Sequence, residues 1–293
     1  MAAQDIAFVP ETRFGFWFLG TGIWTTRVVR VALKDLERLI PERRASYAVI
    51  LDAGCGQGKS FRPLIEHFAP QRLIGVDADA ESLHLAAAES AKEHTPIELR
   101  HGDVADLALP DASVDLVFCH QTFHHLIRQE ETLAQFHRVL KPGGLLLFST
   151  FGPDTLGELR DAWSQAGDDS NHVNHFFDPH AIGSALMHAG LAEPVLDVDR
   201  IVVGYDDAIA LMRELKAIGA HNVTRGRARG LTGRRRLAAM TRAYEALRSD
   251  GKLPATWEVI HASAWGGPRR EHENERLPRE TLISPGSIRR RGP

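Results

Sequence analysis

The chain has 293 residues, of which 43% are hydrophobic and 25% charged, and it carries a formal net charge of -3. That length is enough to bury a sizeable core, and the composition excludes a disordered or fibrous chain. The near balance of charge argues against nucleic-acid binding over the whole surface, and two cysteines are too few for a disulfide framework or a cysteine zinc site.

The stretch "MAAQDIAFVPETR" has no basic segment leading into an apolar core, so no secretory signal is expected and a cytoplasmic protein is the simplest reading. Phe14 to Trp24 is aromatic and apolar but falls short of the roughly 20 residues of a membrane span, so it reads as packing or a lid. From Thr25, the positions Val28, Val31, Ala32, Leu36 and Leu39 recur at helical spacing and predict an amphipathic helix. Strand is expected over Ala48 to Gly54, helix from about Lys59 to His67, strand in "RLIGVD", helix from about Ala80 to Lys92, and strand in "IELRHGD". Next come strand "VDLVFCH", a helix from about Glu130 to Leu140, a turn at "KPGG" and strand "LLLFST". Strands alternating with helices imply parallel strands joined by crossovers.

After Thr150 the rhythm changes. Helices near Asp154 to Gln165 and Pro179 to Ala189 precede strand "EPVLDVDRIVVGY", and helices at Asp206 to Gly219 and about Thr232 to Arg248 precede strand "TWEVIHASAW". The expected fold is α/β, doubly wound and Rossmann-like, with a mostly parallel seven-stranded sheet and a helical cap inserted before the last strand. The expected division is an N-terminal arm and helix over 1–44, a core over 45–203, the cap over 204–254, the final core strand over 255–266, and a disordered, Pro- and Arg-rich tail over 267–293.

In an open α/β sheet the ligand lies beyond the carboxyl ends of the strands, where "DAGCGQG" falls. Asp52 closes the first strand, and Gly54, Gly56 and Gly58 can adopt backbone angles that let another molecule approach the main chain. This alternating spacing differs from the G-x-G-x-x-G dinucleotide pattern. Asp77 ends the second strand nineteen residues after Gly58, where an acid can accept hydrogen bonds from a ribose diol. His120, His124 and His125 cluster without an H-E-x-x-H pattern, so no metal is expected. No side chain stands out as a catalytic acid or base. Six arginines, Arg225, Arg227, Arg229, Arg234, Arg235 and Arg236, fall within twelve residues and would suit an acidic partner or a carboxylate. Aromatic residues for base stacking are not interleaved with them, which argues against nucleic acid.

The glycine turn with Asp52 resembles motif I of the class I S-adenosylmethionine-dependent methyltransferases, and "HGDVADLALPDASVDLVFCHQTFHHL" resembles their later motifs. The resemblance implies that Asp52, Gly54, Gly56, Gly58 and Asp77 bind S-adenosylmethionine, that Asp103 and the Val104 amide meet its adenine, and that His120 and Gln121 face the cofactor. From residue 141 to about 267, "FSTFGPDTLGELRDAW", "HVNHFFDPHAIGSALMHAGLAEPVLDVD", "LMRELKAIGAHNVTRGRARGLTGRRRL" and "GKLPATWEVIHASAWG" resemble the malonyl-acyl-carrier-protein O-methyltransferase family of biotin synthesis. That resemblance implies methylation of the free carboxylate of malonyl-acyl carrier protein, or of malonyl-CoA, with the arginine cluster meeting the carrier. The chain departs from the family at "PETRFGFWFLGTGIW" and at "CHQTFHHL", so a small acceptor such as a quinone or a natural-product acid is a second reading. A non-catalytic cofactor-binding or RNA-binding protein is a third.

Overall fold

The computed structural model describes residues 47–126, 128–167, 176–217 and 233–267. Its seven strands are β1 (Val49–Ala53), β2 (Arg72–Asp77), β3 (Ile97–His101), β4 (Val114–His120), β5 (Leu140–Phe151), β6 (Leu191–Tyr205) and β7 (Leu253–Gly266). They form one sheet in the order β3-β2-β1-β4-β5-β7-β6. The pairs from β3 across to β5 are parallel, and β7 runs against both β5 and β6. The order reverses direction between β1 and β4, and the crevice at their carboxyl ends is where open α/β sheets bind ligands.

The described helices are α1 (Phe61–Phe68), α2 (Ala80–Ser90), α3 (Gln129–Val139), α4 (Gly157–Gln165), α5 (Pro179–His188), α6 (Ala208–Ala217) and α7 (Arg234–Glu245). Their starts are written in the sequence. Asp79 caps α2 by accepting from Ser82 N–H at 3.1 Å, and Asp178 caps α5 by accepting from Ala181 N–H at 2.9 Å, with Pro179 in the first turn.

Strand alternation sends side chains to two cores. One face joins Leu51, Val117, Cys119, Leu146, Phe148 and Ile260 to Leu133 and Phe136 of α3 and to Ile182 and Leu186 of α5. The opposite face joins Ile50, Leu73, Leu116, Phe118, Leu145 and Leu147 to Phe61 and Leu64 of α1. A third cluster holds α4, α6 and α7 together around Tyr205, Leu253 and Trp257. It packs the inserted helices against one end of the β6–β7 ribbon, the helical cap the sequence leads one to expect. Tyr244, fully buried there, donates its hydroxyl to Pro254 O at 2.7 Å.

Several boundaries differ from expectation. "KPGG" lies inside the span of β5 as a bulge, because pairing passes from Leu140–Val114 to Leu145–Leu116 and skips residues 141 to 144. Helix α4 begins at Gly157 rather than near Asp154, since Asp154 N–H donates to Glu258 Oε2 at 2.8 Å and Leu156 is left-handed at φ 54°. Strand β7 begins at Leu253, two residues earlier than the expected 255. The segment 1–44, with its expected helix, and the tail beyond Gly267 lie outside the described residues.

Phe136 is fully buried where α3 meets the sheet. Phe136→Ala should destabilise the protein by about 3–5 kcal/mol in urea unfolding, because the cavity adds to the lost transfer energy.

Candidate active site

The glycine turn lies across the carboxyl end of β2. Gly54 N–H and Cys55 N–H both donate to Val76 O, at 2.8 and 3.1 Å, and Gly58 N–H closes the turn onto Cys55 O at 2.9 Å. Gly54, Gly56 and Gly58 all have positive φ, at 78°, 50° and 77°. Each has its own surroundings. A methyl group on Gly54 would sit 2.4 Å from the Thr122 side chain, and one on Gly58 would sit 2.5 Å from the Phe61 ring. A methyl group on Gly56 would meet nothing within 4 Å, so that side of the main chain is open to another molecule.

Asp77 ties this turn to β2. Its Oδ2 accepts from Gly56 N–H at 2.7 Å and its Oδ1 from Asp79 N–H at 2.9 Å. A carboxylate offers about four acceptor positions, so roughly two remain for a ligand. Asp52 is fully enclosed at the end of β1 and accepts a short hydrogen bond from Ser60 Oγ. Burial pushes its carboxyl up to about 7, the Ser60 bond opposing and the Asp77 charge adding to the rise.

Asp103 stands in the loop after β3 and is half exposed. Its Oδ1 accepts from Ala105 N–H at 2.8 Å and its Oδ2 from Arg128 at 2.5 Å. The Ala105 bond and, after it, the Arg128 guanidinium hold this carboxyl below the usual range. Val104, next to it, is buried.

At the end of β4 the backbone is strained. Gln121 is left-handed at φ 51°, and its N–H is shared between Ser149 O at 3.1 Å and Ser149 Oγ at 3.2 Å. His120 Nδ1 lies 2.7 Å from the same Ser149 Oγ, while His120 Nε2 and Gln121 Oε1 are buried without a partner among the described residues. Burial, with a smaller effect of His261, pushes the His120 imidazole down to about 3. Thr122 bridges this strand end to the glycine turn, donating within reach of Gly54 O at 3.2 Å.

His124 and His125 fall in a 3-10 turn, Phe123–His125. His124 packs on Phe151 with ring centroids 4.6 Å apart, and burial holds it well below its ordinary pKa. Among the described residues no group of three His, Cys, Asp or Glu side chains is placed to hold a metal ion, and no helix is long and apolar enough to cross a membrane. Arg234, Arg235 and Arg236 form the exposed first turn of α7, and Arg225, Arg227 and Arg229 lie outside the described residues.

The structure thus gathers Asp52, Gly54, Gly56, Gly58, Asp77, His120 and Gln121 at one crevice. Asp103 and Val104 belong to the loop following the neighbouring strand β3. Reading the sequence missed Ser60, Thr122, Arg128, Ser149 and His261. A histidine interrupting the apolar run "EVIHASAW" was the one available signal for His261.

A methyltransferase domain model matches residues 51–148. The YcgJ protein of Bacillus subtilis shares the fold with a TM-score of 0.58 at 18% identity, over 82% of this chain and 100% of that one. Residues 51–148 are therefore a methyltransferase domain, and the fold is that of the YcgJ protein. The malonyl-acyl-carrier-protein O-methyltransferase of Laribacter hongkongensis (strain HLHK9) is 41% identical over 255 residues, covering 83% of this chain and 82% of the relative. That of Methylovorus sp. (strain MP688) is 44% identical over 238 residues, covering 79% and 77%. The chain belongs to the malonyl-acyl-carrier-protein O-methyltransferase family.

The raised carboxyl of Asp52 makes a prediction about stability. Its folded pKa lies above the ordinary carboxylate value, so its contribution is fully present below about pH 4 and is lost as pH rises through about 7. Asparagine does not titrate. In urea unfolding, the stability of the protein relative to its Asp52→Asn variant should fall between pH 4 and pH 8 by on the order of 4 kcal/mol.

Proposed function

We propose that this protein transfers a methyl group from S-adenosylmethionine to the free carboxylate of malonyl-acyl carrier protein, an early step of biotin synthesis. The observation that carries the reading is the Asp77–Gly56 contact at 2.7 Å, an acid at the second strand's end beside a glycine whose main chain is open. The residues present fit the cofactor. Gly56 leaves room for a close approach, Asp77 keeps acceptor capacity for a ribose diol, and Gln121 Oε1 is a buried acceptor in need of a donor. Asp52, Gly54, Gly58, Asp103 and Val104 complete the proposed set. When bound, S-adenosylmethionine supplies an electrophilic methyl group on a sulfonium.

The protein's own residues then have a limited task. A carboxylate with a pKa of about 4 is already ionised at neutral pH, so no general base is required. That agrees with a crevice whose histidines are held neutral by burial. What the protein contributes is placement of the acceptor oxygen in line with the methyl group and exclusion of water from it.

The carrier would meet the cap, in the division proposed here, of a core over 45–203 and a cap over 204–254. Arg234, Arg235 and Arg236 open helix α7, where the helix dipole is already positive. Three cations at that end work against the helix and favour an acidic partner. Arg225, Arg227 and Arg229 extend the same cluster in sequence.

Purified protein given methyl-labelled S-adenosylmethionine should place label in an alkali-labile ester on malonyl-acyl carrier protein. Label only on a small acid, or none on any acceptor despite cofactor binding, overturns the acceptor. Asp77→Ala should weaken S-adenosylhomocysteine binding by roughly 100-fold in calorimetry. Changing Arg234, Arg235 and Arg236 together to Ala should raise the KM for the carrier-protein substrate by about 10-fold at low salt, with the difference shrinking as salt is added. Cofactor affinity should not move.

A further inference from the structure

The sheet face that carries Leu116 and Phe118 of β4 ends in a row of polar side chains. His120 lies opposite Ser149 of β5, and Ser149 lies opposite His261 of β7. Both histidines are enclosed, at 8% and 4% exposure. Each has one ring nitrogen without a partner among the described residues, Nε2 of His120 and Nδ1 of His261. Leaving such atoms unpaired in the interior is costly, and native proteins keep them where something else completes them. Two strand spacings separate the histidine backbones by about 10 Å, and only a serine stands between them.

The hydrogen bonds around Ser149 point to one position for the proton on His120. Ser149 Oγ accepts from Gln121 N–H at 3.2 Å and from Gln121 Nε2 at 3.3 Å, which occupies both of its lone pairs. Its own hydrogen therefore goes to His120 Nδ1, 2.7 Å away. The ring proton stays on Nε2. His261 stands on the far side of Ser149, its Nε2 lying 3.4 Å from Asp199 Oδ2.

We propose that His120 Nε2–H donates to one oxygen of the acceptor carboxylate, and that Ser149 is the positioning residue that holds this tautomer. The inference rests on the reading above that the acceptor is a malonyl thioester. It moves His120 from the cofactor, where the sequence resemblance put it, to the acceptor, and leaves Gln121 on the cofactor side. The chemistry favours a neutral donor here. An arginine would pair with the carboxylate as an ion pair, often through both oxygens, and would draw charge from the attacking one. An uncharged imidazole, kept so by burial, orients one oxygen and leaves the other its charge. A thioester ending in a methyl group has nothing to offer Nε2–H, so the same contact selects against it.

The test compares binding of malonyl- and acetyl-acyl carrier protein to wild type and to His120→Phe, with S-adenosylhomocysteine binding as the control for an intact site. His120→Phe should weaken malonyl-carrier binding by about 30-fold and leave acetyl-carrier and S-adenosylhomocysteine binding within about twofold. His120→Gln, which restores an N–H donor, should recover part of the loss. Ser149→Ala should raise the KM for the malonyl carrier by about fivefold with kcat held within about twofold. NMR of protein labelled with 15N-histidine reads the tautomer without any substitution, and should show His120 protonated at Nε2 and unprotonated at Nδ1. An Nδ1–H signature overturns the proposal, as does an equal loss of S-adenosylhomocysteine affinity in His120→Phe. So does unchanged malonyl binding in that variant while wild type still prefers malonyl to acetyl. Wild type with no such preference removes the acceptor reading itself, and this inference with it.

Discussion

One carboxylate holds the candidate site in shape. Asp77 accepts from Gly56 N–H at 2.7 Å and from Asp79 N–H at 2.9 Å, so it fastens the glycine turn to the end of β2 and starts the chain toward α2. A turn with three glycines at positive φ has more freedom to lose than any other kind of chain, and without an anchor it would wander. Thr122 supplies a second anchor from the β4 side, filling the space beside Gly54 that any side chain there would need. The ends of β1, β2 and β4 are thereby locked as one unit. The Asp77 charge also adds to the rise that burial causes in the carboxyl pKa of its neighbour Asp52.

Much of this was legible from the chain. The parallel half of the sheet was readable because each strand is a short apolar run ending in a polar residue, and the spacing of Gly54, Gly56, Gly58 and Asp77 marked which ends would carry the ligand. Other features depend on partners distant in sequence. Helix α4 starts late because Glu258, about a hundred residues away, takes the Asp154 N–H. The pairing of Asp103 with Arg128 joins two loops that nothing in their local sequence connects. "KPGG" has the residues of a turn, yet Lys141 and Gly144 lie within the span of a strand, bulged between two paired stretches.

The polar row explains itself through the direction of β7. In the parallel strands only the last residue or two reach the crevice, as Asp52, Asp77 and His120 do. Strand β7 runs the other way, so the residue that arrives at the level of Ser149 is His261, in the middle of its strand. A rule that looks for chemistry at strand ends passes over it. The antiparallel strand thus lets the last segment of the core add a side chain to a site otherwise built from the first half of the chain.

This arrangement also divides the electrostatics of the site. Around the glycine turn stand acids, Asp52 and Asp77, which suit a cationic cofactor. Across the crevice, at the ends of β4 and β5, stand uncharged groups, a neutral imidazole, an amide and a hydroxyl. A carboxylate nucleophile brought against acids would be repelled, and one brought against a guanidinium would be held too firmly to attack. Neutral donors avoid both, because their bonds to an anion are directional but weaker than ion pairs. Burial supplies that neutrality, since the same enclosure that leaves His120 Nε2 without a partner also keeps the ring from taking a second proton. The cost of the unpaired nitrogen and the reactivity of the acceptor therefore come from one structural fact, the depth at which His120, Ser149 and His261 lie in the sheet.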